Sequence, residues 1–347
     1  MKRPTIADIA RRAGVSTGAV SYALNGQPGV SEATRARILA IAEEVGWQPN
    51  SAARALSASR VNTVGLAVSR SASVLAIEPF FMQLISGIEA ALSSQGTALL
   101  LQVVPSRKAE IGVHRRWWGE RRVDGVILID LEIDDPRIDA LVDMEMPAVV
   151  IGGPSPEPLL TEVYSDEAAA MRILVDYLAA LGHRHIAHVS GPTNLLHTAT
   201  RIAAFRQAAE RHGFESAESY ETDYTGEAAA RVTRDLLAGG SRPTAIIYDN
   251  DVMAVAAVAV TQEMGLSIPQ DISLAAWEDS PLCQLVHPPL TTLHRDVMAY
   301  GTNAAQQLLA TIEDGKRRSF QDDTPYLVPR GSTARPDDME SRPTATA

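Results

Sequence analysis

Two sets of side chains in this 347-residue sequence have types and positions that could do chemistry. Near the N-terminus, the segment STGAVSY (residues 16–22) offers hydroxyl and aromatic side chains but no acid or base. Further along, polar and aromatic residues, among them Arg201 and Glu278, fall where predicted strands end. The first set suits hydrogen bonds to phosphates and base edges. The second set, a guanidinium fork with several acceptors and rings, suits a polyhydroxylated small molecule.

Catalytic and metal chemistry find little support in the sequence. No strand is followed by GxGxxG or by a GxSxG elbow, and no P-loop occurs. His183, His185 and His188 lie close together, but no cysteine or clustered acid completes a metal site around them. We therefore expect no enzyme, no metal and no cofactor.

Composition and charge limit the kinds of partner and compartment expected for this chain. Apolar residues make up 46% of the chain, and Cys283 is its single cysteine, so we expect a cytoplasmic globular protein without disulfides. The N-terminus has no apolar signal-peptide region, and no uninterrupted apolar run predicts a membrane span. Residues 1–60 carry eight Lys/Arg and four Asp/Glu, although the whole chain has a net charge of −11. This asymmetry predicts that only the front of the chain meets a polyanion.

Residues 1–48 are expected to form a three-helix head. Thr5, Ser16 and Ser31 are placed to cap three short helices. Small, turn-forming and apolar residues at the helix-turn-helix positions (Ala10, Gly14, Val20) predict that the second helix enters a DNA major groove. The candidate DNA contacts of the head are Thr5, Ser16, Thr17, Gly18, Ser21, Tyr22 and Asn25. We expect Ser16, Ser21 and Asn25 to meet phosphates and Thr17 and Tyr22 to meet bases, while Gly18 allows close backbone approach. The alternative is a small bundle that binds nothing.

Residues 49–60, which include NSAARALSASR, predict a short hinge helix. Asn50 would cap it, and Asn50, Ala53, Arg54 and Leu56 are its candidate DNA contacts. Leu56 could wedge between base steps in the minor groove, because apolar side chains of DNA-bending proteins do so. The alternative is a flexible linker with one stray leucine.

From residue 61 to 334, strands and helices alternate at the spacing of an α/β fold with doubly wound parallel sheets. About ten predicted strands are too many for one sheet, so we expect two lobes. Lobe one would contain about 61–160 and 291–320, and lobe two about 161–290 and 321–334. Residues 335–347 have the composition of a disordered tail.

Ligands of doubly wound sheets bind beyond the carboxyl ends of the strands. Those positions are Ser69–Ser73, Arg107, Asp130, Gly191–Arg201, Tyr224, Asp249–Asp251 and Trp277–Asp279. Each has a structural alternative. Arg201 could form a structural ion pair. The residues Asp249, Asn250 and Asp251 could be caps of the next helix, and Phe80, Phe81 and Trp277 could be core residues.

The segments PTIADIARRAGVSTGAVSYALNG and GWQPNSAARALSASRVNTVGLAV resemble the head and hinge of the LacI/GalR family of bacterial transcription repressors. Weaker similarity continues through HIAHVSGP, DNDVMAVAAVAV and HPPLTTLHRD. The resemblance implies a homodimer, a palindromic DNA operator and a small effector held in a body shaped like periplasmic sugar-binding proteins. The effector-binding residues it implies are Phe81, His197, Arg201, Tyr224, Asn250, Asp251 and Glu278. Two departures are Ala204 in place of a glycine and Glu278 in place of an aspartate.

The sequence therefore predicts a DNA-binding transcriptional regulator, a repressor, that a small polar effector controls. A sugar is the first candidate for the effector and a nucleobase the second. Two other functions stay open: a sugar-binding or signalling protein whose head docks a protein, and a DNA binder that needs no ligand.

Overall fold

The computed structural model describes residues 4–47, 60–70, 72–155 and 157–336. The chain divides after Val61 into a small front unit and a large body. The predicted hinge contacts Asn50, Ala53, Arg54 and Leu56 lie outside the described residues, as does residue 337 onward of the predicted tail.

The front unit consists of three helices, each of which begins after a hydroxyl residue. They are α1 (Ile6–Ala13), α2 (Thr17–Leu24) and α3 (Glu32–Glu44). Thr5 and Asp8 complete a reciprocal capping box, and Ser16 and Ser31 accept backbone amides of the first turns of α2 and α3. The three helices close around Ile9, Val20 and Ile38, which are fully buried.

The body contains two six-stranded sheets, which confirms the α/β fold predicted from the sequence. In spatial order, the first sheet is β11 (Ser319–Gln321), β5 (Thr161–Tyr164), β4 (Ala148–Ile151), β3 (Gly125–Leu128), β1 (Thr63–Val68) and β2 (Ala98–Val103), all parallel. The second is β12 (Tyr326–Val328), β10 (Thr291–His294), β9 (Ser273–Ala276), β8 (Ala245–Tyr248), β6 (His185–Ser190) and β7 (Ser216–Glu221). Only the pairing of β12 with β10 is antiparallel among these described strands.

Helices cover both faces of the sheets. Those that follow strands of the first sheet are α4 (Ala72–Ile77), α5 (Pro79–Ser94), α6 (Arg107–Gly119) and α7 (Pro136–Asp143). Those that follow β5 and the strands of the second sheet are α8 (Glu167–Leu181), α9 (Leu196–His212), α10 (Gly226–Ala238), α11 (Asp251–Glu263), α12 (Pro281–Leu285) and α13 (Val297–Asp314). These connections between parallel strands place the carboxyl ends of the strands in each sheet along one edge.

The chain crosses between the lobes after β5, after β10 and between β11 and β12. Helix α13 returns to the first lobe, where it packs against α5 at two glycines. A Cβ on Gly301 would lie 2.3 Å from the Leu84 carbonyl oxygen, so only glycine permits this helix contact. The sheets place β5 in the first lobe and β10 in the second, so two lobe boundaries fall a few residues later than the sequence analysis places them.

In the described part of the chain, no helix combines the length and the hydropathy needed to cross a lipid bilayer.

Candidate functional site

The front unit presents one polar face on α2. Five of the predicted contacts are exposed there or at the helix ends: Ser16, Thr17, Gly18, Tyr22 and Asn25. Ser21 is half-buried and lies 3.4 Å from the Asn25 amide nitrogen, and Thr5 is exposed at the start of α1. The Ser16 hydroxyl oxygen accepts the Ala19 amide at 3.1 Å, which leaves its hydrogen free to donate to an acceptor such as a phosphate oxygen.

Tyr22 is the large side chain of this face, with 48% of its surface exposed. Its ring lies against the backbone of Gly29, where a Cβ would lie 3.4 Å from the ring edge and φ is +116°. The glycine thus supports one side of the ring and leaves the hydroxyl end open. A half-exposed tyrosine in this position can reach a base edge or a sugar-phosphate.

The body holds a cavity of about 810 Å³, including the part open to solvent, and residues of both lobes line it. Its lining combines aromatic rings with convergent polar groups, as small-molecule sites do. Five predicted effector residues line it: Phe81, His197, Arg201, Tyr224 and Glu278. Arg107 lies outside the lining and forms ion pairs with Glu110 and Glu132.

Asn250 and Asp251 do not line the cavity. Asn250 caps α11 by accepting the Met253 amide at 2.8 Å, and its amide nitrogen donates to the Tyr224 carbonyl at 3.2 Å. Asp251 is the first residue of α11 and accepts the Val252 amide. Both therefore serve the start of a helix, which was the structural alternative for this motif. Asp249, directly before them, lines the cavity.

Arg201 is the central cation of the second lobe. Its Nε donates to Glu167 at 2.7 Å, and its Nη1 lies 3.5 Å from the Asp249 carboxylate. Its guanidinium carbon stands 3.8 Å from the centre of the Trp277 ring, a cation–π contact. Burial opposes ionisation of Glu167, but Arg201 and Arg295 outweigh it and hold the pKa of Glu167 below its usual value.

Arg295, directly after β10, extends this network. It donates to Glu278 at 2.8 Å and to Glu167 at 3.4 Å, so the carboxylate of Glu167 joins two arginines. Its guanidinium lies over the ring of Tyr300 at 4.9 Å. These contacts fix the orientation of the Glu278 carboxylate, which can accept a hydrogen bond from a ligand hydroxyl with its remaining lone pairs.

Arg70 and Asp130 form the counterpart in the first lobe, with Nε to Oδ2 at 2.7 Å. Burial disfavours the charged carboxylate, yet Arg70 holds the pKa of Asp130 well below its usual range. Arg70 also stacks on Tyr224 of the second lobe at 5.0 Å. Tyr224 has φ of +67°, and a Cβ on Gly191 would overlap its ring at 1.9 Å. The ring position thus depends on glycine at residue 191.

The histidines have separate structural partners. His197 lies 2.8 Å from the Tyr224 hydroxyl, and burial together with Arg201 lowers the pKa of His197 to about 4, so the ring is neutral at pH 7. His188 contacts Asp249 at 2.9 Å, His183 contacts Thr244 at 2.8 Å, and His185 contacts Glu215. Among the described residues, no group of three His, Cys, Asp or Glu side chains has the arrangement of a metal site.

Sequence reasoning missed three charged residues of the cavity: Glu78, Glu167 and Arg295. Glu167 and Arg295 each follow the end of a strand within three residues, so the rule that ligands bind beyond strand ends could have found them. Glu78 precedes α5 rather than following a strand, so the rule does not reach it.

A second contact between the lobes runs along the backbone beside the cavity. The Ile133 amide donates to the Asn194 carbonyl at 2.9 Å, and the Leu196 amide donates to the Leu131 carbonyl at 2.8 Å. The amide of the Asn194 side chain also donates to Glu132 at 3.2 Å. We call residues 131–133 and 194–196 the interlobe strap. It joins the two lobes in the arrangement seen here.

Comparisons with known proteins match both units. Residues 5–50 match the family model of bacterial regulatory proteins, lacI family, and residues 175–333 match that of the periplasmic binding protein-like domain. The HTH-type transcriptional regulator CelR of Thermobifida fusca is 32% identical over 319 residues, which cover 90% of this chain and 92% of CelR.

Two solved structures extend the similarity. A transcriptional regulator CelR–cellobiose complex is 29% identical with a TM-score of 0.71, and covers 95% of this chain and 100% of that one. The lac repressor dimer bound to operator and the anti-inducer ONPF is 26% identical with a TM-score of 0.85, over 96% and 100% of the two chains. The helix-turn-helix head, the two-lobed body and the relatives, which are regulators rather than enzymes, agree: this chain belongs to the LacI family of DNA-binding, effector-controlled bacterial transcriptional regulators.

Proposed function

We propose that this protein is a repressor that binds a palindromic operator as a homodimer, and that its affinity for the operator falls or rises when a sugar binds in the body cavity. The observation that carries the proposal is the cavity itself. Both lobes line it with fixed acceptors, guanidinium groups and aromatic rings, so a ligand with many hydroxyls can bind both lobes at once. We further propose that it acts in the cytoplasm, where its DNA would be.

The exposed face of α2 supports the DNA part of the proposal. Placed in a major groove, the N-terminal residues Ser16, Thr17 and Gly18 would approach base edges and phosphates, and Tyr22 would follow one turn later. A dimer would place two such helices on successive half-sites, which is why we propose a palindrome. The lac repressor structure is a dimer on an operator, which agrees with this arrangement.

Exposed apolar side chains support the dimer. Ile77, Met82 and Met298 of the first lobe are 58%, 60% and 49% exposed, and Leu285 of the second lobe is 81% exposed. Large apolar side chains left in water on α4, α5, α12 and α13 are a cost that a subunit interface would remove.

The ligand chemistry supports a sugar rather than an anion. Each arginine of the cavity already pairs with a carboxylate: Arg70 with Asp130, Arg201 with Glu167, and Arg295 with Glu278. Little positive charge is left for a phosphate, whereas carboxylate oxygens and rings suit hydroxyls and a sugar face. The cellobiose bound by the similar CelR protein agrees with a sugar.

Ligand and DNA would communicate through the relative position of the lobes. A sugar that contacts both lobes shifts the balance between open and closed arrangements only by its difference in affinity for the two. A coupling of about 1–3 kcal/mol would change operator affinity about five- to 150-fold.

One experiment tests the proposal in two stages. Selection from random duplex DNA with the full-length protein should enrich an inverted repeat, with log affinity falling steeply as log salt rises. A panel of mono- and disaccharides is then titrated into the complex, and one sugar should shift the operator affinity. Failure to enrich any sequence would exclude the repressor, and enrichment without any response to small molecules would leave a ligand-independent DNA binder.

A further inference from the structure

One acid of the cavity has no ion-pair partner in the part of the chain that the structure describes. Glu78 lines the cavity directly before α5, yet its carboxyl makes no hydrogen bond to the helix it precedes. Among the described residues it takes part in no ion pair, unlike the other four carboxylates of the lining. A half-buried carboxyl without a partner costs free energy unless something else satisfies it.

The charged groups that act on Glu78 come from both lobes. On its own lobe these are Arg70, already bound to Asp130 at 2.7 Å, and Asp130 itself. From the second lobe they are Asp251 and Glu278. Three of the four are acids, and the single cation is taken. Burial and these acids raise the pKa of Glu78 to about 8, against the opposing effect of Arg70.

Asp251, in the second lobe, also lacks a full set of hydrogen-bond partners among the described residues. It is 1% exposed, and its Oδ2 atom completes no hydrogen bond among the described residues, although the Ser280 hydroxyl is near. Burial raises its pKa, and the Glu278 charge adds to the effect. Asp251 lies behind the cavity lining, and its charge adds to the repulsion that a positive charge at Glu78 would relieve.

The numbers of acidic and basic groups in the cavity lining also favour a cationic ligand. Among the described residues that line the cavity, five carboxylates face three guanidinium groups, and the pKa of His197 is lowered to about 4, which leaves that ring neutral. An anionic ligand would meet an excess of acid, and a neutral polyol would leave Glu78 protonated, without the counter-charge that would let it ionise. An ammonium group would supply it.

We propose that the effector is a polyhydroxylated molecule with a protonated amine, the chemistry of an amino sugar, and that Glu78 selects it by pairing with the ammonium group. The inference rests on the proposed function, because it assigns a ligand class to the same cavity. An ammonium between Glu78 of lobe one and the acids of lobe two attracts both lobes, so its binding also draws the lobes together.

The test compares matched probes on the full-length protein. Glucosamine, galactosamine and mannosamine are each titrated beside the neutral parent hexose, the N-acetylated form and the 6-phosphate, with wild type, Glu78→Gln and Glu89→Gln. Glu89 is an exposed acid of α5, the helix that Glu78 precedes, so Glu89→Gln makes the same substitution outside the cavity. We expect an amino sugar to bind most tightly, and Glu78→Gln to weaken it about tenfold or more, the loss typical of a charge-assisted hydrogen bond. Glu89→Gln should bind like wild type.

A proton count separates direct pairing from a structural role. At pH 6.5 the ligand amine is charged and Glu78 is protonated in the free protein, so pairing must release close to one proton per ligand. Calorimetry in buffers of different ionisation enthalpy measures that number, and Glu78→Gln should bring it close to zero.

The outcomes distinguish this inference from the proposed function. If a neutral or phosphorylated sugar binds most tightly, or if Glu78→Gln binds the amino sugar like wild type, the inference is wrong and the sugar cavity stands. If no sugar of any class binds while the selected operator does, both the inference and the sugar effector are wrong, and only the DNA-binding function remains.

Discussion

Replacing Leu196 by proline tests whether the interlobe strap holds the two lobes together. Leu196 is the first residue of α9, where proline is well tolerated because its missing amide has no partner inside the helix. The preceding residue, Leu195, has φ of −79° and ψ of 132°, a conformation that residues before proline favour. The substitution therefore removes the hydrogen bond to the Leu131 carbonyl with little harm to the helix.

The expected increase in opening of the strap follows from the loss of that single hydrogen bond. A net loss of about 0.5–1.5 kcal/mol makes opening of the strap about two- to twelvefold more frequent. The Ile133 amide, which donates to Asn194 across the same strap, reports each opening by hydrogen exchange. We therefore expect Ile133 to exchange faster by that factor in the full-length Leu196→Pro protein, and effector affinity to fall by up to the same factor if the bound form needs the strap.

Leu196→Ala is the matched control, because it trims the same side chain at the cavity but keeps the amide. Ile133 should exchange at nearly the wild-type rate in that variant. Equal Ile133 exchange in the proline variant, the alanine variant and wild type would show that the lobes are held by other contacts.

Three further changes have expected outcomes. Arg201→Ala removes one partner each from Glu167, which keeps Arg295, and from Asp249, which keeps His188. The free energy of unfolding should therefore fall by about 1.5–3 kcal/mol in denaturant titrations, with operator affinity kept and the sugar response lost; a variant that still responds would move the effector site elsewhere. Leu56→Ala should lower affinity for the selected operator in mobility-shift titrations and leave binding to random DNA unchanged, and equal operator affinity would exclude the minor-groove wedge. Burial lowers the pKa of His114 to about 4, so the histidine of the unfolded chain takes up a proton first as pH falls, and stability is lost between pH 6.5 and 4. His114→Phe should reduce the slope of unfolding free energy against pH in this window by about 1 kcal/mol per pH unit. An unchanged slope would contradict this expectation.

The local structure of the head could be predicted because its causes lie within a few residues of one another. Thr5, Ser16 and Ser31 each accept an amide three residues ahead, and Gly14 ends α1 with φ of +65°. In the body, the strand-end rule proposed Arg201 and Tyr224 as ligand contacts, and both line the cavity. The resemblance to the family proposed Asn250 as a ligand, and the structure shows it as the cap of α11.

What the sequence by itself determined is therefore the helices and strands, their caps and the edge of each sheet at which a ligand could bind. The tertiary structure alone decided which charges meet there. Arg201 reaches Glu167 over 34 residues, the strap joins Leu131 to Leu196, and charges of the other lobe raise the pKa of Glu78. These pairings depend on the strand order and on the three crossings between the lobes, and no local pattern in a chain encodes the distance between residues that only such crossings bring together.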